Sequence, residues 1–164
     1  MCWINLKKKF IVIFPPKVAS HSLLQFLREN DSHGFLMKNE YFYKPYRYYD
    51  GKPWPQRIEF IHAPPGILKK YIESRGFKWC DFRVIMFIRN PWEWTYSCYK
   101  YSCLKQFKDR LKNMTFIEWL QNNGNDHRGK NRFIWLSYNL DMMMTDKNNK
   151  CIVSHIYKLE DIKQ

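Results

Sequence analysis

The chain has 164 residues, of which 45% are hydrophobic and 18% aromatic, and its 28 Lys and Arg against 15 Asp and Glu leave a formal charge of +13. That length suits a single domain over residues 1–164, and the apolar content excludes a disordered basic tail. No apolar run approaches the roughly 18–20 residues that cross a bilayer.

In chain order, Lys7-Lys8-Lys9 precedes an apolar stretch too short for a signal peptide. Phe10-Ile11-Val12-Ile13-Phe14, closed by Pro15-Pro16, has the pattern of a strand buried on both faces of a parallel sheet. Leu23, Leu24, Phe26 and Leu27 then recur at helical spacing, so strand, loop and helix open a βαβ unit. Residues 41–57 form an aromatic and basic excursion with Pro45, Gly51, Pro53 and Pro55, read as an irregular path over the sheet. Ile58 to Ile61 is a short strand candidate, followed by His62, a turn at Pro64-Pro65-Gly66 and a helix to Arg75. Arg83 to Ile88 is a second buried strand that runs into a helix. Asn90 serves as its N-cap, Pro91 fits the first helical position, and Glu93 stands where a capping box needs it. Thr115 to Asn122 is a helix with a Thr cap, stopped at Asn123-Gly124-Asn125-Asp126, and Asn131 to Leu140 resumes helix. Asp146 to Lys150 is a polar turn and Cys151 to Tyr157 a final strand. This alternation predicts a three-layer α/β domain, a central parallel sheet flanked by helices.

The charge suits nucleic acid, an anionic membrane surface or acidic glycans, and equally an ordinary solvated surface. Two strand-to-helix corners narrow the choice. Pro16-Lys17-Val18-Ala19-Ser20-His21-Ser22 leads into a helix N-terminus, where unpartnered N–H groups and the helix dipole favour anions. Lys17 adds a full charge, and Ser20 and Ser22 add hydroxyl donors, a cradle for phosphate or sulfate; the competing reading is a plain helix cap. The Gly-Lys-Ser/Thr of a Walker A loop is missing, which disfavours an ordinary magnesium-dependent ATPase. At the second corner Arg89 has a guanidinium that matches phosphate bidentately, and Ser97 shares a helical face with Glu93. Alternatively, Arg89 pairs with a local carboxylate and Ser97 only packs.

Pro16-Lys17-Val18-Ala19-Ser20 resembles the 5′-phosphosulfate loop of sulfotransferases that use 3′-phosphoadenosine 5′-phosphosulfate (PAPS), the Golgi carbohydrate sulfotransferases in particular. Val84 to Tyr99, "VIMFIRNPWEWTYSCY", is similar to that family's 3′-phosphate block, and Ile152 to Ile162, with Tyr157, Leu159 and Glu160, resembles its late strand. The order of the three blocks agrees over almost the whole chain. The resemblance implies a P-loop-NTPase-like sulfotransferase fold that moves a sulfuryl group from PAPS to an acceptor hydroxyl, expected on a carbohydrate, and releases adenosine 3′,5′-bisphosphate. It implies that Lys17, Val18, Ala19, Ser20, His21 and Ser22 hold the 5′-phosphosulfate, and that Arg89 and Ser97 hold the 3′-phosphate. His21 departs from the family's Thr or Ser and Trp94 from its frequent Arg, and the sequence ends at Gln164, where relatives often continue over the adenine.

By analogy with phosphoryl transfer, positioning and electrostatics supply most of the catalysis. Lys17 stabilises the leaving 5′-phosphate, with His21 as an assistant. His62 is the candidate base for the acceptor, a role worth about 10²–10⁴-fold, or else a turn histidine; Glu59 is the next choice. His33, His127 and His155 have no placement argument. No metal site is expected, since Cys98 and Cys103 are off same-face spacing, and Met142-Met143-Met144 reads as core filler. Five cysteines without a CxxC pair suit reduced thiols in a cytoplasmic setting. Tyr41 to Tyr49, with Trp54, combines flat faces and positive charge suited to sugar stacking or to a packed aromatic flap. The same pattern supports the rival reading, a single-stranded nucleic-acid module, which leaves both anion corners unexplained. A noncatalytic nucleotide-binding relative is the third reading. The pocket is expected at the C-terminal edge of the strands.

Overall fold

Residues 2–37, 48–49, 52–53, 65–104, 111, 114–122, 124, 144–146, 148 and 150–162 are described by the computed structural model. Two apolar runs build its centre. Phe10–Ile13 (strand β2) and Arg83–Ile88 (β6) pair in parallel, with Ile11 opposite Val84 and Ile13 opposite Met86. Between them in the chain lie helix α1, Ser20–Asn30, and helix α2, Pro65–Ser74. A further parallel strand, β7 (His155–Lys158), adds beyond β6, with Phe87 opposite Tyr157.

Side-chain alternation explains the layers. Ile4, Ile11, Ile13, Val84 and Met86 share one buried cluster with Leu68 and Ile72 of α2. Trp3, Val12, Phe14 and Leu24 of α1 form a second cluster, against which Ile85 and Phe87 pack. A period of two sends neighbouring residues of each strand into different clusters, which is why the runs are apolar throughout. Each fully buried aliphatic side chain contributes about 1.5–3 kcal/mol, so the centre of β2 anchors both layers.

The sheet is mixed rather than purely parallel. Cys2–Asn5 (β1) pairs antiparallel with β2, and Phe35–Leu36 (β3) pairs antiparallel with β1, giving the order β3-β1-β2-β6-β7. Four residues followed by three lysines carry too little periodicity to read as a strand. The hairpin is made locally instead: Lys9 takes a positive φ of 52°, and the Lys8 N–H donates to the Asn5 side chain at 2.6 Å. Asn5 then donates to Asp31 at 2.7 Å, and the Trp3 indole donates to the same carboxylate at 2.8 Å, fastening the end of α1 to β1. A Cβ on Gly34 would strike the Trp3 ring and the Asp31 carboxylate, so only glycine fits there.

The second buried strand leads into α3, Pro91–Ser102, and Phe116–Gln121 forms α4. Thr115 caps α4 with a reciprocal capping box to Glu118, as its sequence predicts. At α3 the expected box does not form. Asn90 accepts from the Trp92 and Glu93 N–H groups, but Glu93 turns to Arg89, and the Asn90 N–H donates to Glu160 at 2.7 Å. The late strand is shorter than Cys151 to Tyr157, because Cys151 is drawn into an isolated antiparallel bridge with Thr145. Asp146 makes the predicted polar turn, accepting from the Asn148 and Lys150 N–H groups at 2.9 and 3.2 Å. Within the excursion, Tyr48–Tyr49 (β4) and Lys52–Pro53 (β5) form an antiparallel ladder, so this part is regular. The Ile58 to Ile61 strand and the Asn131 to Leu140 helix lie outside the described residues.

Candidate functional site

Both strand-to-helix corners open at the same edge of the sheet, because β2 and β6 are parallel neighbours. Under that edge Phe14 stacks on Phe87 (ring centroids 6.5 Å apart), and Phe87 meets Tyr157 at 6.0 Å. This row of rings across three strands gives the corners a rigid base.

In the first corner Lys17 and Ala19 have positive φ (64° and 52°), with Val18 between them outside that region. Such φ alternation is the pattern by which an anion-binding nest turns successive N–H groups toward one side. It is uncommon for residues that carry a Cβ, which explains why the lack of glycine hid the conformation from the sequence. Ala19 is the N-cap of α1; its carbonyl accepts from Leu23, but no side chain caps the first turn. Val18 and Ser20 are buried, while His21 and Ser22 face outward. His21 and Ser22 thus flank the nest from the solvent side.

At the second corner Arg89 is engaged as the local-pairing alternative anticipated. Its Nε and Nη2 donate to Glu93 Oε2 at 3.2 and 3.1 Å. Glu93 is 57% exposed, and surface pairs of this i,i+4 type are worth about 0.3–0.5 kcal/mol, so a phosphate can displace it. Glu160, near Arg89, is held below the usual carboxylate range chiefly by the Asn90 N–H.

Helix α3 joins the corners. The Trp94 indole N–H donates to the Pro16 carbonyl at 2.8 Å, so Trp94 serves as a tie between loop and helix. Trp94, Ser97, Cys98 and Tyr101 follow at i, i+3, i+4 and i+7 and therefore share one stripe. The Lys17 ammonium lies 4.3 Å from the Tyr101 ring centroid. Burial lowers the Lys17 pKa; the nearby Cys98 sulfur opposes this, and repulsion by Arg89 adds to it. Cys98 is fully buried, and burial pushes its thiol up to about 12 despite both cations, so it is neutral and no nucleophile at ordinary pH.

Lys17, the Val18 to Ser22 loop and Arg89 are accordingly brought to one edge and Ser97 lies on the α3 stripe between Trp94 and Tyr101, whereas His62 and Glu59 lie outside the described residues. Tyr101, Glu160 and the tie made by Trp94 were missed, although the stripe from Trp94 to Tyr101 was present as helical spacing. A surface basin of about 430 Å³, lined by Lys8, Lys9, Phe10, Asp81, Arg83 and Ile85, opens at the far end and contains none of the candidates. Among the described residues no group of His, Cys, Asp or Glu could hold a metal ion, and no helix is long and apolar enough to cross a membrane. The five cysteines are free thiols.

No family model, curated protein or solved structure matches this chain.

Proposed function

We propose that the C-terminal sheet edge binds a doubly anionic adenosine nucleotide, and that the chain transfers a sulfuryl group from PAPS to an acceptor hydroxyl on a P-loop-NTPase-like sulfotransferase scaffold. The observation that carries this reading is that the Lys17 and Arg89 corners follow two parallel neighbouring strands and so open at one edge of the sheet. Two cations at one edge, an uncapped helix N-terminus and the positive φ of Lys17 and Ala19 suit a ligand with two anionic groups. The likeness of Pro16 to Ser20 and of Val84 to Tyr99 to the two phosphate blocks selects PAPS among such ligands.

In transfer, the sulfur–oxygen bond to the 5′-phosphate breaks as a bond to the acceptor oxygen forms. Lys17 and the nest stabilise negative charge at the 5′ end, and Arg89 with Ser97 holds the 3′-phosphate. The acceptor proton passes to a base, for which His62 is the first choice and Glu59 the second. Carbohydrate remains the proposed acceptor class, because aromatic residues dominate Tyr41 to Tyr49.

Adenosine 3′,5′-bisphosphate provides the test. At about a hundredfold excess over its Kd, a ligand adds about 2.7 kcal/mol, which raises Tm by roughly 5–10 °C in a chain of this size. Arg89→Ala should remove most of that shift, and an unchanged shift would overturn the site. Oligonucleotide binding that is tight, salt-dependent and indifferent to Lys17 and Arg89 would favour the nucleic-acid module instead. Bisphosphate binding without transfer of labelled sulfur from PAPS to any hydroxyl acceptor would favour the noncatalytic relative.

A further inference from the structure

Lys17 and Arg89 are held in different ways. Arg89 has the Glu93 carboxylate. Among the described residues no carboxylate pairs with Lys17; its ammonium lies over the Tyr101 ring, two helical turns beyond the tryptophan that ties down Pro16. Lys17 also has a positive φ of 64°, uncommon for a residue with a Cβ.

We propose that Tyr101 is a positioning residue of the anion site, its ring face seating the Lys17 ammonium beside the nest until an anion arrives. The inference deepens the anion-site reading above and rests on it for Lys17's purpose. A carboxylate in the same place would neutralise Lys17 and repel the incoming anion. A ring quadrupole attracts the ammonium without presenting a full negative charge. A charge-assisted hydrogen bond to phosphate or sulfate is stronger than that attraction, so the lysine can move to the ligand. Among the described residues, the other groups that act on Lys17 give it no negative partner: Cys98 is a neutral thiol, and Arg89 is a cation paired with Glu93. The ring also favours the charged form where burial and Arg89 oppose it.

The test replaces Tyr101 with Phe, with Leu and with phenylalanines of increasing fluorination, which drain the ring quadrupole at nearly constant shape. Two readouts are taken: the titration midpoint of Lys17 in the free protein, from the NMR signal of its ¹³C-methylated amine, and the affinity for adenosine 3′,5′-bisphosphate. Tyr101→Phe should match the native protein in both. Fluorination should lower the Lys17 midpoint stepwise and weaken the bisphosphate by about threefold to tenfold at the end of the series, and Tyr101→Leu should do the same. A flat fluorination series overturns the proposal, as does a Tyr101→Phe variant that behaves like Tyr101→Leu. If Tyr101→Leu fails to fold, the isosteric fluorinated series decides alone. A midpoint that follows fluorination in a protein that binds no bisphosphate upholds the seat and overturns the nucleotide reading.

Discussion

Asp31, at the end of the sheet where the parallel strands begin, is a buried anion held by three donors of the chain, whereas Lys17 and Arg89, at the opposite end, are cations held by a ring face and by exposed carboxylates. Trp3, Asn5 and Lys8 all donate to Asp31, at 2.8, 2.7 and 3.4 Å. Burial would raise the Asp31 pKa, but these hydrogen bonds and the Lys8 charge hold it below the usual carboxylate range. Around Lys17 and Arg89 the described groups include a ring face, a neutral thiol and two exposed carboxylates, Glu93 and Glu160. A satisfied buried charge fastens a fold; like charges held only loosely at an edge are a cost that the proposed anion would relieve.

The sharpest way to break this contrast is to remove one charge from each end. Asp31→Ala leaves the Trp3 and Asn5 donors without their acceptor and should cost about 2–4 kcal/mol in urea unfolding. Lys17→Met should stay within about 0.5 kcal/mol of the native protein or exceed it. Equal losses at both ends would erase the distinction.

The pH dependence sharpens it further. A carboxylate with a lowered folded pKa contributes stability that is complete above its ordinary value of about 3.9 and is lost as pH falls through the lower folded value. Urea midpoints measured between pH 2 and pH 6 should therefore decline on the acid side in the native protein, and Asp31→Asn should flatten that decline.

Smaller effects probe the open end. Trp94→Phe deletes the hydrogen bond to Pro16 and should cost about 1 kcal/mol of stability while weakening adenosine 3′,5′-bisphosphate severalfold in calorimetry. Glu93→Gln should have the smallest effect and the opposite sign. Freed from its carboxylate, Arg89 should bind the bisphosphate about twofold to fivefold more tightly; weaker binding would show that Glu93 supports the site rather than competes for it.

Much of the central scaffold was legible in the residues. The runs Phe10 to Phe14 and Arg83 to Ile88 can be buried on both faces only in a layered sheet, and Thr115 with Glu118 announces its capping box. Strand β1 was not legible, because its four residues gain their conformation from pairing with β2 and from the Asn5–Asp31–Trp3 network. The candidate site divides in the same way. Lys17, Ser20, Arg89 and Ser97 stood out at helix starts by residue type. Their companions did not: Trp94 looked like a lost arginine, Tyr101 like one aromatic among many, and Glu93 like half of a capping box.

By itself the sequence determined that Phe10 to Ile13 and Arg83 to Ile88 are strands and where α1, α3 and α4 begin, since apolar periodicity and caps act between residues close in the chain. It also determined that a basic corner follows each of these two apolar runs. Only the tertiary structure decided that β2 and β6 are parallel neighbours, so that the corners open together, and that Lys17 lies over Tyr101 while Glu160 takes the Asn90 N–H. Those contacts join residues 70 or more positions apart, and no local preference can choose such partners; the packing of sheet and helices does.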